Sequence, residues 1–272
     1  MIPDKLTADL SENYKVSIRL MPDGLYFWGY NPSENDSFFI ESFTYERQVT
    51  TVEELKNIVF EHPCFSFSYQ SFHVVHVGGK YTIIPDPVFI EKEKDRLFDF
   101  CFPKDPSLKT IVHPVHALDA SILFGLDKDV YAFLLRSLTN PQFIHSISPL
   151  LIAWQKKSLP VFPKLMHVAM HQTTLDVLCV EQGNLLFLNS YSYENSQDAV
   201  YYIMYICKQT GFNQLEDYIT VSGRQDLCRP VLSVIHKYVK KTNYFQHKVS
   251  NYQDGSALEL TPDMIALMEC GL

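Results

Sequence analysis

The chain has 272 residues, 46% of them apolar and 20% charged, with a net charge of −8. A chain of this size buries about three quarters of its unfolded surface, which argues against disorder and allows one large domain or two medium ones. The acidic balance disfavours a nucleic-acid partner, because a polyanion needs a basic face.

Residues 1–13 read as a loose, polar lead-in without the apolar stretch of a signal peptide. Tyr14–Leu20 alternates strictly and predicts a half-buried strand with Val16 and Ile18 facing in. Pro22-Asp23-Gly24 turns the chain, Leu25–Tyr30 returns as a second strand, and Phe38–Tyr45 follows the loop 31–36 as a third. Thr50 and Thr51, followed by Glu53 and Glu54, offer two registers of a capping box. The helix they open carries Val52, Leu55, Val59 and Phe60, and Phe65–Tyr69 is the next strand. Strands at His73–Val77 and Tyr81–Ile84 around Gly78-Gly79 read as a hairpin. Glu91–Phe100 is a mixed-charge helix with a solvated face, and Thr110–Leu126 a second hairpin turning near Ala117-Leu118-Asp119. Asp129–Leu138 is helical, Gln142–Ile147 a strand and Ser148–Lys157 a helix. Ser158–Pro163, with two prolines, is the linker between two halves.

The stretch Lys164–Tyr193 then predicts three antiparallel strands. They are Leu165–Met170, Thr174–Val180 and Leu185–Leu188, with Gly183 free to take positive φ in the second turn. Asn195 caps a helix with Asp198 at its third position, and Gly211 ends it. Tyr218–Val221 is a strand, Gln225–Lys241 a helix, Phe245–Tyr252 a last strand and Pro262–Glu269 a short terminal helix behind Thr261. Lys237, Lys240 and Lys241 fall at the end of a helix, where cations suit its dipole. Both halves therefore read strand, strand, strand, helix, strand: an internal duplication argued from order of elements alone.

Few side chains invite chemistry. His73-x-x-His76 and His113-x-x-His116 sit on predicted strands, where residues three apart point to opposite faces and cannot share one ion. His167 and His171 share a face if their strand continues, but lie about 13 Å apart at strand rise. No metal site follows. There is no phosphate-cradling glycine motif, no nucleophile elbow, and no basic neighbour to activate Cys179 or Cys207. Six scattered cysteines without a C-x-x-C pair suit reduced core thiols in the cytoplasm. No apolar run spans a bilayer, so no membrane partner is expected.

Two β-β-β-α-β-α halves in tandem resemble the actin-like ATPase superfamily, whose domains share a ribonuclease-H-like fold. The stretch H-V-A-M-H-Q-T-T-L-D-V-L with E-Q-G-N-L-L-F-L-N-S looks like the second-domain opening of its pilus-assembly and cell-division members. The whole chain is similar to an uncharacterised bacterial family, chiefly from Bacteroidetes, placed in that superfamily by fold. The resemblance implies an α/β protein of two tandem domains, each a mixed sheet opening with three antiparallel strands. Residues 1–158 would form domain I, with inserted strand and helix material, and 159–272 domain II. Thr173 and Thr174 match the family's Thr-Thr, Ser222-Gly223 echoes the glycines that approach adenosine, and Arg19 falls near the family's other Asp. These five are the implied nucleotide-binding residues. Arg19 has a competing reading as a strand-edge side chain in solvent or an ion pair.

The departures point the other way. Val168 stands where the family has an aspartate that helps hold the nucleotide's metal, and Met170 where it has glycine. The expectation is a non-enzymatic protein with no catalytic residues and no cofactor, binding another protein or itself. Tyr26, Trp28 and Tyr30 alternate on one strand as surface candidates, with a core face as the competing reading. A divergent ATPase using ATP and Mg²⁺ is the alternative. A ribonuclease-H-like nuclease is a third reading, starved of carboxylates: Asp176 is the one acid on the central strands of the second half.

Overall fold

A computed structural model describes residues 6–34, 37–46, 49–157, 164–245, 248–250 and 257–270. The Ser158–Pro163 link lies outside them. The chain separates into two compact units, the first running to Ser148 and the second from Pro149 to Ser250 together with Ala257–Leu272.

In the first unit a single helical turn, α1 (Ala8–Ser11), stands in what the sequence presents as a loose lead-in. Three strands follow, β1 (Lys15–Met21), β2 (Gly24–Tyr30) and β3 (Phe39–Thr44), then α2 (Thr51–Glu61). Of the two capping registers the chain uses the first: the Glu53 carboxylate accepts from the Thr50 N–H at 3.0 Å and its hydroxyl at 2.8 Å. The strand expected at Phe65–Tyr69 is absent. Pro63–Ser66 is a 3₁₀ turn whose Phe65 plugs the core, fully buried with its ring 4.6 Å from that of Phe27. The fourth strand of the sheet is β4 (Ser71–His76), parallel to β1.

The expected hairpin around Gly78-Gly79 is therefore also wrong. β5 (Tyr81–Pro85) leaves for a second, three-stranded sheet instead. That sheet is finished, after α3 (Lys94–Cys101), by β6 (Leu108–Val115) and β7 (Ala120–Asp127). β6 and β7 pair as the expected hairpin, with Asp119 at φ 47° in its turn. α4 (Lys128–Ser137) starts on Asp127, whose carboxylate accepts from the N–H groups of Asp129 and Val130 at 2.9 and 3.0 Å. β8 (Gln142–His145) returns to the first sheet, whose order is β3-β2-β1-β4-β8.

Helix α5 (Ile147–Lys157) precedes the second unit's strands, β9 (Leu165–Met170), β10 (Thr174–Glu181) and β11 (Asn184–Ser192). The β10–β11 turn places Gln182 at φ 50° and Gly183 at φ 81°, the twist a two-residue hairpin needs. α6 (Ser196–Gln209) is capped as the sequence reads: Asn195 Oδ1 accepts from the N–H groups of Gln197 and Asp198 at 2.9 and 3.1 Å. β12 (Tyr218–Gly223) and α7 (Gln225–Ile235) follow.

α7 stops six residues short of the expected Lys241. Lys237 and Lys240 lie beyond it, and Lys241 opens β13 (Lys241–Phe245), its ammonium 4.6 Å over the Tyr218 ring. Thr242, Tyr244 and Phe245 favour a strand there. The final strand expected at Phe245–Tyr252 is instead the end of β13 and a short β14 (Lys248–Ser250), and the rest of that range lies outside the described residues. β14 pairs with β15 (Ala257–Glu259), and α8 (Pro262–Cys270) ends the chain's described part.

The second sheet has the order β11-β10-β9-β12-β13, strand for strand that of the first. Its core lies on one face, where Met166, Val168, Val177 and Val221 pack against Ile203 of α6 and Val231 of α7. Burial of such aliphatic side chains, roughly 2 kcal/mol each, is what holds the helix pair to the sheet.

Candidate functional site

Four of the five sequence-selected residues come together at one end of the second sheet. β9 and β12 run parallel with Met170 opposite Gly223, so the turn after β9 and the turn after β12 leave from the same end. The first turn carries Thr173, exposed, and leads into Thr174, the first residue of β10. It is closed by its own backbone, the His171 N–H donating to the Thr174 carbonyl at 2.8 Å. Tyr193 clamps it from outside: its N–H donates to the Thr173 carbonyl at 3.0 Å, and its hydroxyl to that of His171 at 2.5 Å. Burial raises the Tyr193 hydroxyl above its ordinary pKa, so it stays a donor.

The second turn is tighter. Gly223 has φ +131°, and a Cβ there would meet the Met170 carbonyl oxygen at 2.4 Å. Only glycine fits. The buried Ser222 hydroxyl donates to the Val168 carbonyl at 3.2 Å, and the Tyr244 hydroxyl to that of Gly223 at 2.9 Å. Arg224 is paired with Asp226 through two hydrogen bonds of 3.1 and 2.5 Å, which hold the Asp226 carboxyl below its usual range.

Between the turns the structure adds a cluster the sequence did not announce. Asp176, 5% exposed, accepts from the Ser190 hydroxyl on one oxygen and lies 2.9 Å from His171 Nε2 on the other. Asp176 thus stands between His171 and Ser190. A histidine that is not in contact with the hydroxyl cannot take its proton, so this is not a nucleophile–base pair. The signal was hidden by a bulge. Counting back from the Gly183 turn sets Asp176 opposite Asn189, but the register shifts between Cys179 and Val180 and brings Ser190 there instead. His171 also departs from expectation: β9 ends at Met170, so His167 and His171 do not share a strand.

Arg19 belongs to the first unit. Its reading as a strand-edge side chain is a miss, because β1 is the middle strand and Arg19, opposite Tyr26 on β2 and Val75 on β4, is 4% exposed. Trp28 is likewise a core side chain, 2% exposed and stacked with Tyr30. Val168 and Met170 both lie within the apolar cluster of the second unit.

Among the described residues, no three His, Cys, Asp or Glu side chains are grouped to hold a metal ion. Burial pushes the Cys179 thiol up to about 11 and the Cys207 thiol to about 12, the opposite of what a nucleophile needs. His73 and His76 both stand on β4, while His113 lies on β6 and His116 in the turn beyond it. Burial lowers the His76 ring to about 3, and the His73 and His113 rings to about 4. These three are neutral at physiological pH. No helix of the described residues is long and apolar enough to cross a membrane.

No curated protein matches the sequence. Among solved structures, a protein of Bacteroides thetaiotaomicron described as having an actin-like ATPase fold and unknown function is similar over 99% of this chain and 100% of its own, with 26% identity and a TM-score of 0.83. The PilM–PilN type IV pilus biogenesis complex is similar over 86% of this chain and 88% of that one, with a TM-score of 0.51 and 8% identity, a likeness of fold alone. The fold is thus that of the actin-like ATPases, with two sheets of identical strand order. Residues 3–242 match the family described as protein of unknown function, DUF3822, and the chain belongs to that family.

Proposed function

We propose that this protein is a non-enzymatic scaffold that binds another protein or a second copy of itself and does not turn over nucleotide. The observation that carries the reading is the burial of Val168 and Met170, 0% and 2% exposed, inside the apolar core at the strand end where the resemblance calls for an aspartate and a glycine. Neither side chain can hold a cation's water shell, and the nearby Asp176 carboxylate is engaged by Ser190 and His171. Exposed aromatic surface supports a protein partner: Tyr201 and Tyr205 on α6 are 63% and 45% exposed, with rings stacked at 6.2 Å. The resolved complex of the fold relative PilM with PilN is a precedent for a partner-binding member.

The second reading, a divergent ATP-binding protein, is favoured by one observation: Thr173, Thr174 and Ser222-Gly223 share one end of one sheet. Melting curves with ATP and Mg²⁺ separate the two. A nucleotide at about a hundredfold excess over its Kd adds about 2.7 kcal/mol of stability. The scaffold reading expects no change at millimolar ATP, and a clear rise transfers the case to the second reading.

A further inference from the structure

The two faces of the second sheet differ in chemistry. One is the apolar core beneath α6 and α7. On the other, His167 of β9, Thr220 of β12 and Asn243 of β13 stand in direct register. Opposed residues of neighbouring parallel strands face the same way, so these three side chains form a polar row across the sheet. Above the row lie α5 and α8, contributing Leu150, Ala153, Ile265 and Ala266. Between floor and roof is a cavity of about 270 Å³ within this unit. His167, 5% exposed, is fixed at one end by the Trp154 indole, stacked 4.9 Å from it with 4° between the planes.

Of the three, only His167 is buried; Thr220 is half-buried and Asn243 exposed on β13, so the hydroxyl and the amide stay within reach of solvent or of a molecule in the cavity. Among the described residues, the side chains of Thr220 and Asn243 make no hydrogen bond to another group. The charge pattern narrows what could meet them. Among the described residues no Lys or Arg lines the cavity, and the one acidic residue among them, Glu269, is exposed. Phosphates and carboxylates therefore find no counter-charge. The apolar roof suits an apolar body, the sheet-on-helix slot a flat one, and the polar floor one with donors and acceptors along an edge.

We propose that this cavity binds a small, uncharged heteroaromatic molecule of one or two rings, its polar edge on Thr220 and Asn243 and its faces against the α5–α8 roof. The site is independent of whether ATP binds the turns at the sheet end.

The test uses the full chain with free adenine and indole as uncharged probes and ATP as the charged control. At about tenfold excess over Kd, adenine should raise the melting temperature by about 3 °C and move the Ile265 methyl resonance, while ATP moves neither. Thr220→Val, which keeps the shape and removes the hydroxyl, should weaken adenine about tenfold more than indole. Ala266→Trp should fill the cavity and abolish both shifts. If neither uncharged probe moves the Ile265 methyl, or if adenine binds Ala266→Trp and Thr220→Val as it binds the parent, the proposal is wrong. Should Ala266→Trp fail to fold, the Ile265 methyl and Thr220→Val decide alone.

Discussion

β1 and β9 hold the same place in two sheets of the same strand order, and both are sealed from solvent along most of their length. On one face of each the residues are interchangeable in kind: Val16, Ile18 and Leu20 in β1, Met166, Val168 and Met170 in β9. On the other face they are not. β1 buries Ser17 and Arg19, with His73 of β4 in register beside Ser17, whereas β9 buries His167 beside Thr220. The wiring thus depends on one apolar face, and the second face is free to differ. The first unit places Ser17, Arg19 and His73 there, and the second His167 and Asp176, with Thr220 and Asn243 in register beside His167.

The largest test puts a charge on the face argued to be indifferent to everything but apolarity. Val168→Asp places the aspartate that the actin-like resemblance implies between Val177 and Val221. It should destabilise the protein by about 4 kcal/mol, because an unpaired carboxylate would enter a dry core. Denaturant titration measures it. A folded variant that gains ATP–Mg²⁺ binding would break the comparison and the scaffold reading with it.

Acid should next separate the units. His73, His76 and His113 have folded pKa values near 4, 3 and 4, below the ordinary 6.5. Below pH 6.5 the unfolded chain takes up protons that the folded one refuses. Their contribution is therefore whole above pH 6.5 and drains away as pH falls toward 4. Discounting the partial exposure of His76 and His113, the first unit should lose about 3 kcal/mol by pH 5. Hydrogen exchange resolved by unit would detect this, and equal loss in both units would contradict it.

Gly223→Ala strikes only the second unit and should cost about 3 kcal/mol, from positive φ and a clash with the Met170 carbonyl together. The mildest pair tests equality: Asp127→Ala at α4 and Asn195→Ala at α6 each remove a carbonyl-type acceptor from two helix N–H groups. Each should cost about 1 kcal/mol in thermal unfolding, with no difference between units.

The local grammar of the chain was readable where one residue type has one physical meaning. Asn195 with Asp198, Gly183 in its turn and the three strands after Lys164 all fall where the sequence places them. The errors gather where a tertiary partner decides. Phe65–Tyr69 has strand-like residues, but the slot beside β1 is taken by Ser71–His76, whose Val74 and Val75 are fully enclosed. The tail of α7 looked helical by spacing, yet the helix stops at Ile235 and Lys241 already belongs to β13, the edge strand that pairs with β12. At the candidate site the turns were legible. The Asp176–Ser190 pair and the His167–Thr220–Asn243 row were not, because each depends on cross-strand register, which a bulge or a parallel pairing fixes only in three dimensions.

β11 is the longest strand of the second sheet and ends it on one side, with Leu186 42% exposed. Among the described residues no strand pairs with its outer edge, and a rim of that length is a template: the amide ladder can be continued by any extended segment that arrives alongside. Dilution series will therefore reveal more about β11 than any single substitution along it.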